Sequence, residues 1–78
     1  MLKRYRLTSN GLIHTPGMIA WMVCGYQTTR SSRQKRKYLD IAVSGYGLSK
    51  HVAKALLSGV IKYAVDDDMV VFEAKDKE

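Results

Sequence analysis

One cysteine, one proline, one phenylalanine, one tryptophan and two histidines are all that 78 residues offer of these types. Cys24 alone closes no internal disulfide, so a reducing, cytoplasmic setting is expected, with Cys24 acting as a small buried hydrophobe. His14 and His51 stand far apart, with no partners at metal-ligand spacing, so neither a metal nor any cofactor is expected. The longest apolar run, Met18–Gly25, is eight residues, against about 20 for a membrane span. Met1–Gly11 has the positive charge of a signal peptide, but the stretch after it is short and broken by Pro16-Gly17, so neither secretion nor insertion is expected. No glycine-rich phosphate loop is present, and a Ser–His–Asp set can be assembled only arbitrarily. Catalysis is not expected.

The most telling scarcity is of negative charge. From Met1 to Leu39 there are eight basic residues and no Asp or Glu; from Asp40 onward there are seven acids and five Lys, so the net charge of +6 divides into +8 and −2. A one-signed, Arg-rich surface attracts polyanions, and the planar Arg fork fits phosphate oxygens better than an ammonium does. With a pI near 9.7, the partner class narrows to nucleic acid, DNA ahead of RNA, or an acidic protein.

What is present supports one small domain over residues 1–78, with a frayed tail at about 75–78. Apolar residues make up 46% of the chain, which is ordinary for a folded protein, but a core this small is marginal. A homodimer or a host partner is therefore an expectation. Lys3–Thr8 alternates Tyr5 and Leu7 with Arg4 and Arg6, the period of a half-buried strand. Asn10-Gly11 suits a tight turn into a returning strand at Leu12–Thr15. Met18–Gln27 is apolar at almost every position and reads equally as buried strand or buried helix. Thr28–Arg36 reads as an exposed connection, and Tyr38–Ser44, with Leu39, Ile41 and Val43 in alternation, as a strand.

Ser49 is an N-cap for a helix over Ser49–Ser58 or longer, with Val52, Leu56 and Val60 in its apolar stripe and Lys50, Lys54 and Lys62 on the other side. Gly59 either ends this helix or sits inside it at a cost of about 1 kcal/mol. If it ends there, Val60–Val65 and Met69–Ala74 form a hairpin around Asp66-Asp67-Asp68, which lacks the alternating ligands of a calcium loop. The expected fold is α+β: a small antiparallel sheet packed against one principal amphipathic helix, with a C-terminal strand. The core would hold Val52, Leu56 and Val60 against Leu39, Ile41, Val43, Val71 and Trp21.

The candidate site is Arg30-Ser-Ser-Arg-Gln-Lys-Arg-Lys37, where Arg30, Arg33, Lys35, Arg36 and Lys37 can neutralise several phosphates at once. Arg4 and Arg6 would join it if the sheet brings them near; otherwise they keep an exposed strand edge charged. Met18, Trp21 and Met22, residue types enriched at interfaces, offer a candidate protein contact. That suggests a second reading: a small interaction protein that docks on, and modulates or inhibits, a larger nucleic-acid-processing enzyme.

Two resemblances bear on the first reading. Trp21 with Lys35–Val43 and Ser49–Leu57 resembles the sheet-plus-helix arm-binding domains of tyrosine integrases, which implies a three-stranded sheet lying in the major groove with a helix behind. Gly47–Ala74 resembles the recognition helix and closing hairpin of Cro-type phage repressors, which also begin with a short strand. Both imply a phage- or plasmid-type regulator or recombination accessory that binds double-stranded DNA.

Overall fold

The computed structural model describes residues 2–9 and 14–75. In chain order these form β1 (Leu2–Thr8), α1 (Thr15–Thr28), α2 (Ser32–Tyr46), α3 (Lys50–Leu57), β2 (Tyr63–Asp66) and β3 (Met69–Lys75). The antiparallel sheet has the order β1-β3-β2, with Leu7 opposite Val70 and Val70 opposite Val65. This is the α+β class read from the sequence, with a C-terminal strand that takes the centre of the sheet.

The helical layer is larger than expected: three helices stand where one was read. Met18–Gln27 is helical. The strand read at Tyr38–Ser44 lies within α2, and the connection read at Thr28–Arg36 shrinks to Thr29–Ser31. Ser31 starts α2 by accepting a hydrogen bond at its Oγ from Gln34 N, at 3.3 Å. The Arg, Gln and Lys that follow are strong helix formers. Asn10–Ile13, and with them most of the first hairpin, lie outside the described residues; Thr15 opens α1, and β1 pairs with β3.

α3 follows the sequence reading closely. Ser49 Oγ accepts from Val52 N at 3.2 Å. At the other end Gly59 N donates to Leu56 O and Val60 N to Ala55 O, with Gly59 at φ +88°. That pair of bonds is a Schellman stop, and it releases the chain into the β2–β3 hairpin. Asp67, at φ +59°, turns the hairpin, a conformation Asp tolerates better than most residues.

Tyr5, Leu7, Val70, Phe72 and Ala74 face the helices, where Ile19, Met22, Ala42, Leu48, Val52, Ala53, Leu56 and Leu57 meet them. Tyr5 and Phe72, opposite each other on β1 and β3, stack with centroids 5.0 Å apart. Seven residues expected to be buried are exposed or only partly buried. Val60 is 80% exposed, because the Schellman turn takes it off the helix before the stripe reaches it. Val71 is half-buried; its neighbours Val70 and Phe72 hold the core side of β3. Trp21 is 52% exposed and Cys24 is exposed, because α1 turns Ile19 and Met22 inward instead. Leu39, Ile41 and Val43 are half-buried against the core, on a helix rather than a strand.

Candidate nucleic-acid interface

Helix formation decides how the basic segment is presented. Arg33, Lys35, Arg36 and Lys37 occupy the first two turns of α2, with Arg30 just before it, and all five are exposed. Arg33 and Lys37 are one turn apart on a single face, as are Arg33 and Arg36. The first turn of α2 contains no acid. Cations there oppose the partial positive charge of the helix N-terminus, so the arrangement costs stability in the free protein. A bound anion would relieve both the charge crowding and the unsatisfied amides.

Lys35 turns toward α1, with its Nζ 5.5 Å from the centre of the Tyr26 ring, a cation–π distance. It borders a cleft of about 260 Å³ lined by Tyr26, Lys35, Arg36, Leu39, Asp40, Lys50 and Lys54. Four cations from two helices thus line one concave surface with a single carboxylate. Lys50 and Lys54 were read from the sequence only as the solvated side of α3. Their four-residue spacing on one helix face was the available signal, but their position beside α2 depends on the turn between the helices.

That turn is Gly47-Leu48-Ser49. Gly47 closes α2 at φ +70°, where a Cβ would meet nothing. Glycine is therefore favoured for its backbone conformation and not for space. Leu48 plugs the core and Ser49 caps α3. None of Arg30, Arg33, Lys35, Arg36, Lys37, Lys50 or Lys54 forms an ion pair with a carboxylate among the described residues.

The structure does not bring Arg4 and Arg6 to this surface. They project from the sheet face opposite Leu7, and Arg6 lines a recess with Gly45 and Tyr46 at the far end of α2, roughly 18 Å along the helix from Arg33 at the α-helical rise. Arg4 lies in a larger recess of about 510 Å³ with Lys62 and Glu73, where the mixed charge favours no particular ion. Of the candidate protein contact, Met22 is fully buried and Met18 half-buried, which leaves Trp21 accessible. No group of three potential metal ligands occurs among the described residues, and no helix among them is long and apolar enough to cross a membrane. No protein-family model, curated protein or solved structure matches the chain.

Proposed function

We propose that this chain is a non-enzymatic DNA-binding protein of regulatory or recombination-accessory type that works in the cytoplasm and grips the phosphates of a duplex with α2 and α3. The observation that carries this is the cleft where Lys35, Arg36, Lys50 and Lys54 converge without an ion pair among the described residues. Two helices joined by a three-residue turn containing glycine also make the connection of a helix-turn-helix. The order of one strand, three helices and a hairpin favours the Cro-type resemblance over the integrase one, since the outer sheet face mixes Arg4 and Arg6 with Glu73.

On this reading α3, eight residues and so about 12 Å long, enters a major groove of about that width. Its exposed Lys50 and Lys54, together with Arg30, Arg33 and Arg36, hold the phosphates that flank the groove. Asp66, Asp67 and Asp68 keep the hairpin tip away from the phosphates, which orients the duplex along the helices.

Fluorescence anisotropy of a labelled duplex across a salt series tests this. About five neutralised phosphates give a log–log slope near −4 to −5. Replacing Lys50 and Lys54 by Ala should flatten it by about two units, and replacing Arg30, Arg33 and Arg36 by about three, one unit for each cation removed from a phosphate. Arg4→Ala with Arg6→Ala should leave it unchanged. A flat salt response in the parent protein would refute the proposal.

The exposure of Trp21 favours a second reading, in which the chain docks on an acidic host enzyme. Yet α1 carries no charge from Thr15 to Thr28, so an acidic protein is drawn to α2 and not to Trp21. A stoichiometric protein partner retained from nuclease-treated lysate, and absent with Trp21→Ala, would restore that reading.

A further inference from the structure

We propose that the cleft between α1, α2 and α3 is also a site for a free ribonucleoside 5′-monophosphate, which competes with DNA for the same cations. This assignment rests on reading those cations as phosphate contacts.

A phosphate alone leaves most of the cleft without a role. Its volume of about 260 Å³ is room for roughly nine waters at ~30 Å³ each, well beyond one phosphate group. Arg36, Lys50 and Lys54 supply the charge, but Tyr26 and Leu39, both half-buried, add an apolar wall. A duplex phosphate has no use for such a wall. Lys35 Nζ lies 5.5 Å from the centre of the Tyr26 ring. On its exposed, flexible stem it can pass to a phosphate and leave the ring to a base, since any base can stack on an aromatic face. An apolar wall with a few convergent polar groups is the pattern of small-ligand sites.

Asp40 narrows the ligand further. Its carboxylate is one helical turn from Arg36, yet it forms no hydrogen bond or ion pair among the described residues. Toward a DNA phosphate it is only repulsive, and the sugars within a DNA strand carry no free hydroxyl to offer it. A free ribonucleotide brings two adjacent hydroxyls, and a ribose hydroxyl is a good donor to a carboxylate. Cations, wall and carboxylate thus match the phosphate, base and sugar of one small molecule. Because nucleotide and duplex share Arg36, Lys50 and Lys54, each weakens the binding of the other by the same factor. The chain then releases DNA as the free nucleotide level rises.

Isothermal titration calorimetry of the full chain, at low salt and free of nucleic acid, compares adenosine 5′-monophosphate with inorganic phosphate. The nucleotide should bind about fiftyfold more tightly, from one stacked base and one hydrogen bond to a charged group. Asp40→Asn, isosteric and at an exposed position, should cut that preference about tenfold. The same variant should bind phosphate itself about fivefold more tightly, so one substitution moves the two ligands in opposite directions. Lys50→Ala with Lys54→Ala should weaken both at least about tenfold, as loss of charged hydrogen bonds does, with unchanged circular dichroism. In the parent protein the nucleotide should displace a labelled duplex at concentrations where inorganic phosphate does not. A nucleotide affinity no greater than that of phosphate overturns the proposal. So does a preference that Asp40→Asn leaves intact. Neither result alters the salt slope of duplex binding, on which the DNA reading stands. A flat salt slope with the nucleotide still preferred removes the DNA reading and leaves the nucleotide site.

Discussion

The Tyr38 ring occupies the space that any side chain at Gly25 would need. A Cβ built on Gly25 would overlap Cζ and Oη of Tyr38, so α1 and α2 approach to the limit that a bare backbone allows. Gly25→Ala should push Tyr38 off α1 and cost about 1–3 kcal/mol, the usual range for overpacking. Chemical denaturation would measure the loss. Trp21 fluorescence should shift with it, because Tyr38 is the ring against which Trp21 packs.

Leu56 and Val60 belong to the same apolar stripe in the sequence but to different environments in the fold. Leu56→Ala removes a fully buried side chain and should cost about 2–5 kcal/mol, enough to unfold much of so small a domain. Val60→Ala, at a position 80% exposed, should stay within about 0.5 kcal/mol of the parent, as surface changes do. Urea midpoints of the two variants would settle the contrast.

Gly47→Ala should cost about 1–2 kcal/mol for a side chain forced into the left-handed region, with Gly47→Asn losing less because Asn tolerates that region better. Thermal unfolding reads the stability. Duplex affinity should fall further than the population of folded protein does, because the turn at Gly47 aligns Lys50 and Lys54 with Lys35 and Arg36.

Asp40 is the one carboxylate in the cationic cleft. Asp40→Asn removes its repulsion of a phosphate there. At ~4 Å in a water-like environment that repulsion is ~1 kcal/mol, so duplex affinity should rise about fivefold. Unchanged affinity in a titration at low salt would place the phosphates elsewhere.

The C-terminal part of the fold was legible because local chemistry marks every boundary in it. Ser49 caps, Val52 and Leu56 set the stripe, Gly59 stops the helix and the three Asp form the turn. α2 was misread for two physical reasons. Leu39, Ile41 and Val43 alternate over a window too short to separate a strand period from a helix face. The preceding Arg, Gln and Lys have no apolar residue to set a period, although their intrinsic preference is helical. α1 is apolar nearly all round and has no period to read. The site was half legible: the five cations of Arg30–Lys37 stand out in the sequence, whereas Lys50 and Lys54 join them only once a three-residue turn folds α3 against α2.

Ser9 links three distant parts of the chain. Its Oγ donates to Asp68 O at 3.0 Å and accepts from Thr15 N at 2.9 Å, tying the end of β1 to the hairpin tip and to the start of α1. Among the described residues β1 in turn pairs only with β3, so Leu2 waits for Lys75 and Thr8 for Met69. During synthesis, the three helices can collapse together while the first strand still has an open edge. The sheet can close only after β3 has left the ribosome. Pairing across such separations is slow, and until it happens the basic strand Lys3–Thr8 has no partner. Its Lys and Arg side chains then guard it against pairing with the wrong chain, a role in birth that is separate from any role in binding.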